Sequence, residues 1–255
     1  DTTGMVVSGE NMELPTRGPV VLLAHGYLGS RFDLSHLGEE LASQGFICLS
    51  PEYPESLSAS YPRIDGIDRS VITSRLLETI MSDWGISASS YGIIGHSLGC
   101  GTAINTGDDS WARVCIGGFP RSVPRESPIL FLSSMNDGAV SMARRGLTVP
   151  REYIQLKEDF ASSLVASSPS SKEKWPKKAS LIFDRPDAPN HISFLADSVN
   201  DSMINLLSPL LPVAQALSIP VLDFDKYKDS RDSKQTAQIV IPIVTSYLKQ
   251  YMTLK

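Results

Sequence analysis

One segment constrains the fold of this chain more than any other: the apolar run Tyr91–Ile94, followed at positions 95–99 by Gly-His-Ser-Leu-Gly. A helix-compatible stretch, Thr102–Asn105, comes shortly after it. Gly-x-Ser-x-Gly between a buried strand and a helix is the pattern of a nucleophile elbow, a turn so tight that the residues flanking the serine have to be nearly free of side chains. We expect Ser97 to be strained and exposed at the end of the strand. The turn around it consists of Gly95, His96 and Gly99.

Short apolar runs alternate with helical patterns along the rest of the chain. Continuous apolar runs are typical of strands that are covered on both faces. The alternation predicts an α/β fold with a mostly parallel central sheet and helices on both faces. The predicted strands span 19–24, 46–49, 92–94, 113–116, 129–132 and 180–183. The predicted helices span 34–42, 67–81 and 235–251, the last in spite of Pro242.

We find no internal repeat and no linker, so we expect residues 1–255 to form a single domain. Two stretches are additional to the strands and helices that an α/β fold requires. Residues 162–178 are rich in Ser, Lys and Pro, which indicates a solvated loop. Residues 200–222 are apolar and interrupted by prolines. They fit either a packed helical hairpin or a lipophilic flap near the site, and packing is the more common role of apolar helices.

Composition excludes several functional classes. The 255 residues are 42% hydrophobic and 20% charged, which is typical of a folded domain with a sizeable core. The net charge of −5 argues against nucleic acid as a partner, since phosphate binding needs a basic surface. No apolar run reaches the roughly 18 residues of a membrane span. Peripheral contact with a membrane stays compatible with the sequence.

The chain contains no P-loop, no Gly-x-Gly-x-x-Gly and no zinc-type spacing of Cys and His, so we expect neither a metal nor a cofactor. Cys48, Cys100 and Cys115 lie in or beside predicted core elements. We expect free buried thiols, with a single disulfide as the alternative. The first residue is Asp1 rather than Met, which indicates a trimmed or processed N-terminus. A plastid, a secreted and a cytoplasmic location are therefore all compatible with the sequence.

Ser97 needs a base, because a serine hydroxyl is a weak nucleophile until its proton is removed. In this fold the expected order along the chain is serine, acid, histidine. The four histidines are His25 and His96 in turn motifs, His36 on the first predicted helix, and His191. Only His191 follows Ser97, and it also follows the predicted strand 180–183. We therefore predict that His191 is the base.

The acid that orients His191 is predicted from its place in the chain. Asp137 follows the predicted strand 129–132 and lies between Ser97 and His191, as the expected order requires. The alternative acids are Asp108, Asp109, Asp184 and Asp187. We interpret each of these as a solvated loop carboxylate, which makes Asp137 the preferred acid.

The negative charge that develops on a substrate carbonyl oxygen needs preorganised N–H donors. The backbone N–H of Leu98, at the start of the elbow helix, is the first candidate. The second comes from the loop after the first buried strand, where Tyr27 follows His25-Gly26. We predict that Tyr27 and Leu98 form an oxyanion hole. The alternative is that His25-Gly26 is an ordinary tight turn.

These motifs resemble those of the α/β-hydrolase superfamily, and within it the platelet-activating-factor acetylhydrolase-like esterases and lipases. Residues 24–53 are similar to that family's oxyanion loop with the helix and strand that follow, and residues 56–61 to its next loop. Residues 92–106 are similar to its elbow, and residues 191–194 to its His-x-x-Phe motif. The resemblance implies an α/β-hydrolase fold and a serine esterase or lipase activity.

One departure separates the chain from these relatives. In that family the acid follows the strand directly after the elbow helix, but the corresponding residues 115–120 include no carboxylate. An acid one strand later, at Asp137, is similar to the arrangement in dienelactone-hydrolase-like and polyester-hydrolase-like relatives. Chlorophyllases are a further neighbour, although their elbow usually carries Arg in place of Leu98.

The sequence therefore predicts a serine hydrolase that cleaves a carboxylic ester of a small, lipophilic molecule through an acyl-enzyme intermediate. The alternatives among enzymes are a chlorophyllase-type pigment esterase, a thioesterase, an amidase and an acyltransferase, which use the same triad. A non-catalytic binding module is disfavoured, because such proteins typically lose the serine or the histidine, and this chain has both.

Overall fold

A parallel sheet of seven strands forms the centre of the described part of the chain. The computed structural model describes residues 15–56, 68–118, 126–139, 152–166, 174–216 and 230–252. The strands are β1 Arg17–Ala24, β2 Ile47–Leu49, β3 Ser87–His96, β4 Ala112–Ile116, β5 Ile129–Ser134, β6 Ile154–Leu156 and β7 Lys178–Phe183. Their order across the sheet is β2-β1-β3-β4-β5-β7-β6, and all neighbouring strands are parallel.

Helices cover both faces of this sheet. Within the described ranges they are α1 Ser35–Ser43, α2 Arg69–Ser82, α3 Gly99–Asn105, α4 Glu158–Ala166, α5 Asp197–Leu207, α6 Leu211–Ala216 and α7 Ser233–Tyr251. A 3-10 turn, Ser208–Leu210, joins α5 to α6. Of these helices, none has the length and apolar character that a membrane-spanning helix needs.

The two faces of β1 belong to different core clusters, because successive side chains of a strand point to opposite sides of the sheet. Val21 lies in a cluster that includes residues of α1, α4 and α7. Val20 lies in a cluster that includes residues of α2 and α3. A strand covered on both faces has a continuous apolar sequence, so the run at 19–24 correctly predicts a central strand.

Helix α7 continues through Pro242. A proline inside a helix costs about 3 kcal/mol. The buried face of α7 includes Val244 and Leu248, which pack into the same cluster as Val21. Burying each such side chain contributes roughly 1.5–3 kcal/mol, so packing outweighs the proline and the predicted helix is confirmed.

This strand order, with a tight strand–turn–helix connection between β3 and α3, is that of the α/β-hydrolase fold, and the predicted fold class is confirmed. The sequence misses β6, which is short and mostly exposed. The solvated loop expected over 162–178 is wrong at both ends, because 162–166 belong to α4, where Leu164 is buried, Trp175 is buried, and Lys178 begins β7. Residues 167–173 lie outside the described ranges, and the single domain stays a prediction.

The apolar stretch at 200–222 is helical as far as the structure describes it. It belongs to α5 and α6 with the 3-10 turn between them, and residues 217–222 lie outside the described ranges. Ile204, Leu206 and Val213 are each 43% exposed or more. The choice between a packed hairpin and a lipophilic flap therefore stays a prediction.

The three cysteines are free thiols, as expected from the sequence. Cys100 and Cys115 are buried, and Cys48 is half-buried on β2. Burial raises the pKa of Cys48 to about 12, which keeps this thiol protonated near neutral pH.

Candidate active site

The loops that follow five strands meet at one edge of the sheet, because parallel strands end on the same side. Tyr27 follows β1, Ser97 follows β3, Gly117 follows β4, Asp137 follows β5 and His191 follows β7. These strands are neighbours in the order β1-β3-β4-β5-β7. The structure thus brings the residues predicted from the sequence to one edge, with Ser97 between the loops of Tyr27 and Asp137.

Ser97 lies on the tight turn between β3 and α3 and is strained, with a φ angle of 53°. Its backbone N–H donates to the carbonyl of Ile116 at 2.8 Å, which ties the turn to β4. A Cβ atom at Gly95 would lie 2.1 Å from the carbonyl oxygen of Gly99. One at Gly99 would lie 2.0 Å from the carbonyl oxygen of Ala24. Only glycine fits at both positions, and the turn has the geometry of a nucleophile elbow.

Asp137 and His191 form a hydrogen-bonded pair, with 2.8 Å between His191 Nδ1 and Asp137 Oδ2. The side chain of Asp137 is 2% exposed and that of His191 is 12% exposed. Asp137 Oδ1 accepts a further hydrogen bond from the backbone N–H of Ala139 at 2.9 Å. A carboxylate bound at Nδ1 fixes the imidazole tautomer that carries its proton there, and leaves Nε2 as the basic nitrogen.

The alternative acids nearest to His191 in the chain have other partners. Asp184 Oδ2 lies 3.8 Å from Lys157 Nζ, and Asp187 Oδ2 accepts from Arg231 at 3.2 Å. The remaining two bind serine hydroxyl groups, Asp108 that of Ser110 and Asp109 that of Ser127. In the described part of the chain, none of these four carboxylates contacts the imidazole.

Gly117 leaves space beside the imidazole of His191 at the end of β4. Gly117 has a φ angle of 61°. A Cβ atom there would lie 3.2 Å from His191 Nδ1 and 3.3 Å from Asp137 Oδ2. The end of β4, where the resemblance expects the acid, therefore faces the same imidazole nitrogen. The glycine leaves that space to the carboxylate of Asp137.

His96 connects the elbow to the backbone of His191. Its Nε2–H donates to the carbonyl of His191 at 2.9 Å, and the two ring centroids lie 4.7 Å apart. Burial lowers the pKa of His96 to about 3, so the ring is neutral near physiological pH. The sequence predicts His96 only as part of the turn. No motif near His96 indicates its contact with His191, which lies 95 residues away in the chain.

Two backbone N–H groups are available beside Ser97. Among the described residues, neither the N–H of Tyr27 nor that of Leu98 has a backbone or side-chain acceptor. The side chains of these two residues are exposed. A Cβ atom at Gly26 would lie 3.2 Å from Cβ of Ser97. The loop 25–29, which we call the oxyanion loop after the role predicted for Tyr27, therefore lies directly against the serine.

His25 fixes the backbone of the oxyanion loop. Its Nε2 accepts from the backbone N–H of Tyr53 at 3.0 Å, so the proton is on Nδ1, which donates to the carbonyl of Gly26 at 2.8 Å. Burial lowers the pKa of His25 in spite of the Glu52 carboxylate 3.4 Å away. The neutral ring thus joins the oxyanion loop to the segment after β2.

The loop that carries His191, residues 184–193, is called the base loop after the role predicted for His191. Asn136 Nδ2 donates to the carbonyls of Pro186 and Ala188, at 2.9 Å each. Asn190 Oδ1 accepts from the backbone N–H groups two and three residues later, at 2.9 and 3.0 Å. The side-chain amides of Asn136 and Asn190 therefore hold both halves of the base loop. No sequence motif predicts these contacts.

Within the described ranges, no group of three or more His, Cys, Asp or Glu side chains could hold a metal ion. The expected independence from a metal and a cofactor stays a prediction.

One family matches the N-terminal part of the chain. Residues 2–71 match the family described as platelet-activating factor acetylhydrolase, isoform II. This range includes the oxyanion loop, and the resemblance predicted from the sequence is confirmed there. Comparison with curated protein sequences gives no match.

Several solved structures from different organisms resemble this chain. An esterase from Pyrococcus furiosus is 13% identical, with a TM-score of 0.48, and the match covers 92% of this chain and 84% of that one. An α/β serine hydrolase without a lid from Xanthomonas campestris is 10% identical, with a TM-score of 0.44 and coverage of 82% and 85%. Mouse α/β hydrolase domain-containing protein 10 is 15% identical, with a TM-score of 0.39 and coverage of 78% and 92%.

Proposed function

We propose that the protein is a serine hydrolase that cleaves carboxylic esters, with Ser97 as nucleophile, His191 as base and Asp137 as the acid that orients it. The observation that carries the proposal is the 2.8 Å hydrogen bond between His191 and Asp137, formed at the sheet edge where Ser97 lies on a strained turn. A serine with an oriented imidazole nearby is the arrangement that nucleophilic acyl transfer requires.

The proposed reaction requires a hydrogen bond from Ser97 Oγ to His191 Nε2. His191 Nε2 takes the hydroxyl proton as Ser97 Oγ attacks the ester carbonyl carbon. Asp137 Oδ2 accepts the Nδ1–H of His191 and stabilises the imidazolium. His191 then gives its proton to the leaving alcohol, and an acyl group stays on Ser97.

The second half of the reaction uses the same groups. A water molecule takes the place of the alcohol, His191 Nε2 removes one of its protons, and the hydroxide attacks the acyl carbon. The bond to Ser97 Oγ breaks, the serine regains its proton from His191, and the carboxylic acid leaves. In both steps the backbone N–H groups of Tyr27 and Leu98 donate to the oxyanion of the tetrahedral intermediate.

A lipophilic ester is the substrate class that the surroundings of Ser97 favour. Tyr27, Leu98 and Met135 are 65%, 46% and 50% exposed. Each follows a strand that ends at the edge where Ser97 lies. Large apolar side chains at a site gain by covering an apolar acyl chain or alcohol, because contact removes both surfaces from water.

Covalent labelling tests the proposal. A fluorophosphonate probe should label the wild-type protein and not Ser97→Ala, because the probe reacts with an activated serine. The matched control is Ser43→Ala, which changes an exposed serine of α1 and should label like the wild type. A wild-type protein that does not label, or a Ser97→Ala variant that does, contradicts the proposal.

Substrate class is tested on p-nitrophenyl esters from acetate to palmitate, together with a chlorophyll and an oxidised phospholipid. We expect kcat/KM to rise from acetate towards the longer acyl chains, since each additional buried CH₂ group contributes about 0.8 kcal/mol. A preference for acetate, or activity restricted to the pigment, contradicts the expectation of a long-chain lipophilic ester while leaving the serine mechanism intact.

A further inference from the structure

Arg69 reaches the oxyanion loop from a distant element. It is the first residue of α2, and Asp68 Oδ1 fixes the start of that helix by accepting from the backbone N–H of Val71 at 3.0 Å. The side chain of Arg69 is 14% exposed. Its Nη1 donates to the carbonyl of His25 at 2.8 Å, and its Nη2 donates to the carbonyl of Gly26 at 3.2 Å. One guanidinium thus binds two successive carbonyls of the loop.

Among the described residues, three N–H groups donate hydrogen bonds to the carbonyl of Gly26. Besides Arg69 Nη2, the Nδ1–H of His25 donates to it at 2.8 Å and the backbone N–H of Gly29 at 3.3 Å. The peptide bond between Gly26 and Tyr27 is trans, and because a peptide unit is planar, its N–H points away from its carbonyl. Fixing the Gly26 carbonyl therefore fixes the direction of the Tyr27 N–H, on the side away from the guanidinium.

Three further contacts hold the guanidinium itself. Arg69 forms a salt bridge with Glu55, and its Cζ lies 4.1 Å from the centre of the Tyr53 ring. Its Nη1 also donates to Thr102 Oγ1 at 3.2 Å. Because Thr102 belongs to α3, the same side chain joins the oxyanion loop to the helix that begins at the elbow. The paired carboxylate offsets the positive charge, so orientation is the main effect to expect from Arg69.

We propose that Arg69 is a positioning residue, which holds the Gly26–Tyr27 peptide so that the N–H of Tyr27 donates to the oxyanion. The inference rests on the proposed function, since it assigns Tyr27 to the oxyanion hole. Arg69 does not touch the substrate. It acts through the backbone, and the preorganisation of such donors is what makes an oxyanion hole effective.

The test compares Arg69→Met with Arg75→Met, which removes an exposed arginine of the same helix. Loss of one oxyanion donor costs about 10²–10³ in kcat. A donor that is misdirected rather than removed should cost less, so we expect Arg69→Met to lower kcat about 10- to 100-fold. KM should change by less than about threefold, because the N–H binds the transition state more strongly than the ester. Arg75→Met should match the wild type.

Two measurements separate positioning from folding. The concentration of active sites is titrated with the fluorophosphonate, so that kcat refers to folded protein only. The affinity for a trifluoromethyl ketone, which forms an oxyanion when it adds to Ser97, should fall in parallel with kcat/KM. If Arg69→Met does not fold, Arg69→Lys takes its place. A single ammonium cannot keep both carbonyl contacts with the Glu55 and Thr102 contacts, and it should lower kcat about tenfold.

The outcomes distinguish this inference from the proposed function. If the wild type labels and Ser97→Ala does not, the proposed function stands. In that case a wild-type kcat in Arg69→Met, or in Arg69→Lys where the first variant fails to fold, overturns the role of Arg69 alone. A lower kcat with unchanged ketone affinity overturns it as well. If the wild type neither labels nor hydrolyses esters, the proposed function fails and the role of Arg69 fails with it.

Discussion

Two loops flank Ser97, and each of them is held by one arginine, the half-buried Arg69 or the buried Arg231. In the oxyanion loop, Arg69 donates to the two backbone carbonyls directly before Tyr27. In the base loop, Arg231 instead binds two carboxylates, one on α4 and one within the loop. It reaches the loop several residues before His191. One arginine therefore holds a peptide with a proposed role in the reaction, and the other holds a neighbouring part of the chain.

The consequences of losing each arginine should differ for this reason. Without Arg69, the direction of a single N–H changes, and the loss should appear in kcat while the fold is kept. Without Arg231, the ring of His191 is still hydrogen-bonded to Asp137 at Nδ1, and its carbonyl still accepts from His96. The orientation of His191 should therefore be kept. The loss should then appear in the free energy of unfolding.

The largest effect is expected where a contact orients His191 directly. Asp137→Asn replaces the acceptor of the Nδ1–H by an amide and favours the wrong tautomer, so kcat should fall about 10⁴-fold. The control is Asp184→Asn, which changes a half-exposed carboxylate of the base loop and should leave kcat within about twofold. Steady-state kinetics on one p-nitrophenyl ester measure both. Similar losses of kcat in the two variants would contradict the role proposed for Asp137.

The sequence predicts the residues of the site that have a fixed place in the chain order. Ser97 lies in a recognisable turn, His191 is the only histidine after it, and Asp137 follows a buried strand. The structure brings Asp137 and His191 into contact, while the catalytic roles stay predictions. Central strands are equally predictable, because a strand covered on both faces reads as one apolar run.

The residues that hold the two loops could not be predicted in this way. Arg69 contacts a carbonyl 43 residues away in the chain, and Arg231 contacts a carboxylate 73 residues away. From the sequence alone, a charged residue at the start of a helix or after a loop is expected to be solvated. Its hydrogen-bond and ion-pair partners become evident only in the packed fold. Strand β6 is missed for a related reason: two of its three residues are exposed, so no apolar run marks it.

An effect of a different kind is expected from Arg231→Met. The side chain of Arg231 is 5% exposed and pairs with Glu158, which is 10% exposed, at 3.1 Å. Arg185 stays 3.9 Å from the same carboxylate and compensates in part. The free energy of unfolding should therefore fall by about 2–3 kcal/mol, whereas kcat per titrated active site should stay within about threefold.

Urea unfolding and active-site titration measure these two quantities on the same preparation. The matched control is Arg185→Met, since Arg185 is 49% exposed and surface ion pairs are worth about 0–1 kcal/mol. A tenfold lower kcat with unchanged stability in Arg231→Met would mean that the base loop depends on its arginine as the oxyanion loop does. The contrast between the two loops would then be lost.

The smallest effect concerns pH, and it arises from three histidines whose surroundings disfavour the charged ring, two beside the loops and one on α1. Burial lowers the pKa of His96, which lies between the loops, to about 3, and that of His36 on α1 to about 4. Both lie below the usual value of about 6.5. As the pH falls below 6.5, the unfolded chain binds protons at these histidines that the folded chain does not, so stability is lost. The lowered pKa of His25 acts in the same direction.

Asp33 beside the oxyanion loop acts in the opposite direction. Burial raises its pKa to about 6, so between pH 6 and 4 the folded chain holds a proton that the unfolded chain has released, and stability is gained on acidification. The histidines outnumber this carboxylate, and the free energy of unfolding should fall from pH 6.5 to 5. His36→Gln should reduce that slope by about 1 kcal/mol per pH unit. Urea unfolding at pH 7.5, 6.0 and 5.0 measures both slopes. Equal slopes would mean that His36 takes up its proton in the folded chain, and that the acid sensitivity belongs to the histidines of the two loops alone.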